Sequence, residues 1–449
     1  RSFDAVPLAE AAVLISETTT DWITGKGKAK MVLATTVGSG KTHLTAQVIK
    51  QHLGDRNLIW SFPTHSQGEE VVLNHFGEDF AIKIEGRDRD QEAPLCDRPK
   101  VIREIKASGL ESFTARIACR NDQGECEFWR GCRYYKQFMG DHKIRLIPHQ
   151  TLVTPKARAI SDQFMDNLAG IVIDESTIDT IAGRKSYRLS EVTEAGGVLS
   201  EVIEMMRTES PIPESDDLDS LLVRLSDERK ERCVIDPLFH SPSAEDEWGL
   251  IHELKSRAEG KKPSVFALYR AADAWLRGNK NLLWMDKDRS HVWCAWRHEI
   301  PDAERVLILD ATPNEDAYRA IFGDDVEFVY INVEQNLEVY QVMDTPMGKT
   351  RLLDPDRPEL AQMVALARSQ GDAGLITNKA AIDLAFEKGY LTEDDPIPLG
   401  HFNNLRGLNS MESLKTLVIG GRPEPTSLAI EAIARALYPK EDLLLGSEY

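Results

Sequence analysis

Eight consecutive residues, Thr35-Thr36-Val37-Gly38-Ser39-Gly40-Lys41-Thr42, carry the most specific chemistry in the chain. Two glycines let the backbone curl so that its amides converge on a phosphate at the positive end of a following helix. Lys41 is placed to bridge the β- and γ-phosphates of ATP and Thr42 to set its hydroxyl on Mg²⁺, while Thr36, Val37, Gly38, Ser39 and Gly40 line the cradle. Thr35 stands where Gly or Ala is usual. The plain alternative is a glycine turn with an incidental lysine; such a run arises by chance roughly once in a hundred chains of this length.

A phosphate loop needs an acidic partner at the end of a neighbouring buried strand, and Gly170-Ile171-Val172-Ile173-Asp174-Glu175-Ser176-Thr177 has that form. Asp174 would hold the Mg²⁺, and Glu175 would orient and deprotonate the water that attacks the γ-phosphate. An apolar run ending in two acids is also what a strand entering a polar loop looks like. The phosphate loop upstream is what favours the catalytic reading.

Of six cysteines, Cys96, Cys119, Cys126 and Cys132 crowd one segment, separated by 22, six and five residues, while Cys233 and Cys294 stand alone. Four clustered thiols suggest a metal site. No C-x-x-C knuckle is present, so the common zinc-ribbon spacing does not match. An iron–sulfur cluster, zinc and unligated thiols all stay open on spacing alone. Residues 97–145 carry 11 Lys and Arg against 7 Asp and Glu, in a chain whose formal charge is −19. Basic Arg130, Arg133 and Lys136 interleave there with Phe128, Trp129, Tyr134, Tyr135 and Phe138. Basic groups can track phosphates while aromatics stack on bases, as a single-strand groove requires. Aromatics packed around a metal site, with solvated arginines outside, would look similar.

The elements that must position these residues follow from periodicity. Short apolar runs at Met31–Ala34, Leu58–Phe62, Gly170–Ile173, Val306–Leu309, Leu375–Ile376 and Thr416–Ile419 read as buried parallel strands, each followed by a loop and a helical pattern. Leu44, Val48, Ile49 and Leu53 recur at helical spacing after the phosphate loop, giving the strand–loop–helix unit of a doubly wound α/β sheet. From 178 to 295 the pattern turns helical. The chain has 449 residues, 42% apolar and 28% charged, without an uninterrupted apolar run of the ~18–20 residues a membrane helix needs. A soluble, cytoplasmic protein without a membrane partner is expected. A charge of −19, from 54 basic and 73 acidic residues, argues against coating nucleic acid through a uniformly positive surface. Any such partner must sit in a local groove. The chain opens on Arg1, which reads as a piece of something longer.

Further segments occur in a telling order: Phe62-Pro63-Thr64-His65 followed by Glu69 and Glu70, then Pro148-His149-Gln150-Thr151-Leu152, Asp310-Ala311-Thr312, Asn404-Leu405-Arg406-Gly407-Leu408-Asn409, and Arg422-Pro423-Glu424-Pro425. With the phosphate loop and the acidic pair, this series resembles superfamily 2 helicases of the iron–sulfur group typified by XPD and DinG. Glu85-Gly86-Arg87 ahead of Cys96, and Cys132-Arg133-Tyr134-Tyr135, are similar to that group's cluster motifs. The resemblance covers most of the chain by order but is loose outside the phosphate loop.

The resemblance implies two RecA-like P-loop NTPase lobes with inserted iron–sulfur and helical arch-like domains. Lobe 1 would comprise 1–90, 145–177 and 296–325, with the iron–sulfur domain at 91–144, the arch-like insertion at 178–295, and an incomplete lobe 2 at 326–449. It further implies a [4Fe-4S] cluster on the four cysteines, with Zn²⁺ as the alternative. The implied activity is unwinding of forked duplex DNA by translocation on single-stranded DNA, 5′ to 3′. Thr64 and His65, with Arg130, Arg133 and Lys136, would touch DNA, and Thr312 and Arg406 would couple hydrolysis to movement. The group's last motif, which supplies an arginine finger, is not visible before Tyr449. The alternatives are an ATPase of this fold that remodels RNA or protein–nucleic acid complexes, a translocase that does not unwind, or an ATP-gated nucleic-acid-binding scaffold.

Overall fold

The computed structural model describes residues 4–64, 67–68, 74–87, 94–107, 114–121, 124–164, 167–193, 196–233, 251–252, 256, 265–342, 347–402, 411, 413–421 and 425–443. By internal contacts these fall into two compact units, one spanning Arg1–Val333 with Leu428–Tyr449, the other Glu334–Ser427.

The first unit is built on a seven-stranded sheet of β1 (Lys30–Thr35), β2 (Asn57–Phe62), β3 (Ala81–Lys83), β6 (Ile144–Pro148), β7 (Leu168–Asp174), β11 (Val306–Leu309) and β12 (Glu327–Ile331). Their order is β12-β1-β11-β7-β2-β6-β3, and every pairing is parallel. Alternate residues feed two cores. Met31, Leu33, Leu58, Trp60 and Leu307 pack with Ile15, Trp22 and Ile49 of the helices Leu8–Thr24 and Lys41–His52. Val32, Ile59, Ile171, Ile173 and Ile308 pack with Ile160, Tyr318 and Ile321 of the helices Pro155–Gln163 and Glu315–Phe322. Burial on both faces is why these strands read as nearly continuous apolar runs. The order also sets the chemistry: β11 lies between β1 and β7, so the loops leaving all three strands sit side by side at their carboxyl ends, where α/β sheets bind ligands.

A smaller antiparallel sheet, β8 (Ala182–Arg188), β9 (Leu283–Met285) and β10 (His291–Arg297), has the order β8-β10-β9. With the helices Gly197–Arg207, Asp216–Cys233 and Phe266–Leu276 it surrounds a separate apolar cluster containing Leu225, Tyr269, Val292, Cys233 and Cys294. The helical stretches expected here are present. The three strands are an addition to that expectation, since AGRKSYR alternates only weakly. A two-stranded ribbon, β4 (Arg120–Asn121) with β5 (Gly124–Glu125), lies within the cysteine segment.

The second unit holds β13 (Ala373–Thr377), β14 (Leu399–His401) and β15 (Thr416–Ile419) in the parallel order β14-β13-β15. The helices Glu359–Gln370 and Lys379–Glu387 pack on it through Met363, Val364, Ala381 and Ala385. The division read from sequence at 325/326 is corrected. β12 pairs with β1 from Met31↔Glu327 to Thr35↔Ile331, so the first sheet continues past that point. The helix Ser427–Leu437 likewise buries Ala432 and Ala436 against Ala182 and Trp284 of the first unit. No helix among the described residues is long and apolar enough to cross a membrane.

Candidate nucleotide site and cysteine cradle

The phosphate loop leaves β1 and enters the helix Lys41–His52 as the sequence predicts. Gly38 and Gly40 have φ of 82° and 75°, and a Cβ at either would meet nothing within 4 Å. Left-handed backbone rather than crowding is therefore what calls for glycine. The unusual Thr35 has a local explanation: it is buried, and its hydroxyl shares a 2.8 Å hydrogen bond with that of Ser39 across the loop. Thr36 anchors the loop to the segment just after β12, its Oγ1 accepting from the Val333 N–H at 2.8 Å. Val37 is exposed.

Lys41 and Thr42 meet the acidic pair directly. The Lys41 ammonium donates to Glu175 Oε1 at 3.1 Å, and the Thr42 hydroxyl donates to Asp174 Oδ1, also at 3.1 Å. These contacts join residues 132 to 134 positions apart in sequence. Glu175 has φ of 70°, a left-handed conformation that L side chains adopt at a cost. Its N–H donates to Leu309 O at 2.8 Å, tying the end of β7 to the end of β11.

Asp174 is 8% exposed. Burial first, and the neighbouring Glu175 second, push its carboxyl up to about 7, against the opposing pull of Lys41 and Thr42. A folded pKa above the unfolded value means that the native state binds the extra proton. The stability this provides is complete below about pH 4 and is lost as pH rises through about 7. Without nucleotide or Mg²⁺, Asp174→Asn is therefore expected to melt above wild type at pH 8, with the gap narrowing as pH falls and closed only below about pH 4. Thermal midpoints across that range check it, and a gap independent of pH would contradict it.

The segment after β11 completes this edge. Buried Asp310 accepts from the Thr312 N–H at 3.0 Å and from the Tyr318 phenol at 2.6 Å. Thr312 itself is exposed. Tyr318 escaped the sequence reading because nothing local distinguishes an aromatic at a core position of the helix Glu315–Phe322 from plain packing. Only the sheet order brings it here.

Cys96, Cys119, Cys126 and Cys132 all line one cavity, with Arg87, Arg98 and Tyr135. The path between them is fixed by backbone bonds: Cys96 N–H to Arg87 O at 3.1 Å, and Cys126 N–H to Cys119 O at 2.7 Å. Cys119 ends a turn of π-helix, Ala115–Cys119, a widened geometry common at functional sites. Val101, Ile102, Ile105 and Ile117 form the apolar floor. Burial raises two of the thiols, half-buried Cys96 to about 11 and buried Cys119 upward against the nearby Arg87.

Arg87 places its guanidinium 3.8 Å over the Tyr134 ring and donates to Cys119 Sγ at 3.8 Å and to Tyr135 Oη at 3.4 Å. Burial opposes its charge, but Tyr134, Cys119 and Tyr135 raise its pKa on balance. Among the described residues no three His, Cys, Asp or Glu side chains are placed to hold a single metal ion.

Arg130, Arg133 and Lys136 are exposed on the rim. Arg133 donates to Pro94 O at 2.7 Å. The Thr64 hydroxyl, at the end of β2, donates to Gln67 Oε1 at 3.3 Å. His65, Glu69, Glu70, the 404–409 segment with Arg406, and Arg422 to Glu424 lie outside the described residues. Cys233 and Cys294 are buried in the other cluster, as their isolation in sequence predicts.

No protein-family model matches the chain, and no curated protein does. Among solved structures it is similar to an XPD helicase, with a TM-score of 0.46 at 12% identity over 95% of this chain and 88% of that one. It is also similar to Xpd4 of S. tokodaii, with a TM-score of 0.41 at 13% identity over 96% and 88%. A truncated XPD gives 0.31 at 12% identity over 71% of this chain and 99% of the other.

Proposed function

We propose that this protein is an ATP-dependent DNA helicase that moves on single-stranded DNA. The observation that carries the reading is the meeting of Lys41 with Glu175 and of Thr42 with Asp174 at the carboxyl edge of a parallel sheet. Thr42 and Asp174 are the oxygen donors suited to Mg²⁺, Lys41 the cation for the β- and γ-phosphates, and Glu175 the base for the attacking water. Lys41 pairs with Glu175 at 3.1 Å. Phosphate would draw the ammonium away and release the carboxylate to accept the water's proton. The order of the remaining segments, which resembles the XPD and DinG group, favours DNA and 5′ to 3′ movement. The parallel unit at 334–427 is read as part of a second motor lobe.

The four cysteines fit a [4Fe-4S] cluster better than zinc. Zinc asks four ligands to converge on one point at about 2.3 Å, whereas a cluster spreads its thiolates over separate irons. The thiols here surround a cavity, and the raised pKa values of Cys96 and Cys119 mean that their thiolates need compensating positive charge, which Arg87 and the metal would supply. A bound cluster would cross-link Cys96, Cys119, Cys126 and Cys132 and so brace the unit carrying Arg130, Arg133 and Lys136. Those side chains would follow the phosphates of a strand, with Phe128 and Trp129 beside them for base stacking.

Single-stranded DNA is expected to bind more tightly than blunt duplex, with affinity falling as salt rises, and to stimulate ATP turnover. Arg130 and Lys136 are the cleaner positions for charge reversal, because Arg133 also holds Pro94 O. Arg130→Glu with Lys136→Glu should weaken single-strand binding about tenfold and reduce the salt slope by about 0.7 per lost contact. Binding isotherms at several salt concentrations read both. Equal affinity of variant and wild type would move the strand path off the cysteine unit. A wild-type protein that hydrolyses ATP but ignores DNA would favour the RNA or protein-remodelling reading, and turnover without separation of a forked duplex would favour a translocase.

A further inference from the structure

We infer that Tyr318 is a positioning residue for ATP hydrolysis, joining the loop after β11 to the acidic loop after β7 through Asp310. The inference rests on the ATPase reading above. Tyr318 is fully buried, and its phenol donates to Asp310 Oδ2 at 2.6 Å. The other oxygen of Asp310 accepts from the Thr312 N–H at 3.0 Å. Both carboxylate oxygens are therefore committed, one to the loop and one to the helix Glu315–Phe322. The Ser176 side chain, next to Glu175, lies beside the same phenol, and the Glu175 charge is felt there too. Deeper in the sheet, the Glu175 N–H donates to Leu309 O, one residue before Asp310. The two loops are thus tied once through the backbone and once through Tyr318.

The helix that carries Tyr318 is held at both ends. Asn314 caps its N-terminus through the Ala317 N–H at 3.0 Å, and Glu315 accepts from the Tyr330 phenol of β12 at 2.6 Å. At its other end Arg297 of β10 donates to Ala320 O at 2.7 Å and to Ile321 O at 2.6 Å, and Lys30 of β1 donates to Phe322 O at 2.7 Å. A side chain on so fixed a support can hold Asp310 at one distance from the acidic loop, and buried hydrogen bonds to a carboxylate resist rearrangement. The phenol is a donor at every working pH, since burial and the Asp310 charge push its ionisation far up. Its effect on hydrolysis runs through the placement of Glu175 and of the Thr312 loop.

Tyr318→Phe keeps the ring and removes only the donor. The full chain should bind a non-hydrolysable ATP analogue within about twofold of wild type and hold its thermal midpoint within a few degrees. Its kcat for ATP in saturating single-stranded DNA should fall about tenfold with KM nearly unchanged, the signature of an interaction that matters in the transition state rather than in ground-state binding. Asp310→Asn, which keeps an accepting oxygen and the apolar packing, should show the same split with a smaller loss, and it decides the question if Tyr318→Phe does not fold. Unchanged kcat in the variants, or a fall in analogue affinity and thermal midpoint together with kcat, would overturn the inference. A wild-type protein without ATP turnover would instead overturn the ATPase reading itself.

Discussion

Lys41→Ala is expected to lower ATP turnover by about a thousandfold or more, the scale seen when a preorganised cation facing transition-state charge is removed. Lys41 is only 7% exposed, and it is the counter-ion of Glu175 at 3.1 Å. The substitution therefore acts twice. It takes the positive charge from the phosphates, and it leaves Glu175 beside Asp174 with no cation between them. The second effect should raise the Asp174 carboxyl further, because Lys41 is among the groups that hold it down. A weakened requirement for neutral pH cannot rescue this variant, since protonating Asp174 removes the oxygen donor that Mg²⁺ needs. Phosphate release in saturating single-stranded DNA checks the expectation, with circular dichroism showing the fold retained. A kcat within threefold of wild type would remove the nucleotide from this loop.

Replacing any one of Cys96, Cys119, Cys126 or Cys132 by Ser is expected to abolish the broad absorbance near about 400 nm that a [4Fe-4S] protein shows. Separation of a forked duplex should be lost with it. Hydrolysis of ATP in the absence of DNA should fall much less, because the cysteine cradle and the nucleotide edge belong to different apolar clusters. Cys233→Ser and Cys294→Ser provide the contrast: both lie in the cluster around Tyr269 and Val292, and neither should change the spectrum. Anaerobic purification with iron and zinc analysis separates the metals. A colourless wild-type protein carrying one zinc per chain would replace the cluster with zinc, and a coloured Cys96→Ser protein would show that the fourth ligand lies elsewhere.

The phosphate loop, the acidic pair and six strands were legible because each is written in contiguous residues. Glycines with left-handed backbone announce themselves by type, and a strand buried on both faces announces itself as an apolar run, as Val306–Leu309 does. β12 was less legible: Glu327 is exposed and Phe328, Val329 and Tyr330 are half-buried, so this edge strand lacks the run that marked its neighbours. β8 was hidden for a similar reason, with Gly183, Arg184, Lys185 and Ser186 all outside the core. Tyr318 could not be weighed from sequence at all, and Arg87 stood out only as part of the Glu85-Gly86-Arg87 segment. Their significance lies in what stands opposite them, Asp310 in one case and Cys119 with Tyr135 in the other. Strand order creates the first opposition, and the folding of the cysteine segment on itself creates the second.

The left-handed backbone at Glu175 has an evolutionary consequence. At φ of 70° glycine would relieve roughly 1 kcal/mol of local strain, and a single base change supplies it. Selection for a sturdier fold alone would thus tend to erase the acid at this position. On the ATPase reading proposed above, demand for chemistry at this position outweighs demand for stability. Sequences drifting away from ATP hydrolysis on this scaffold should therefore lose their acid at this position early, with Lys41 and the glycines persisting longer as relics of nucleotide binding.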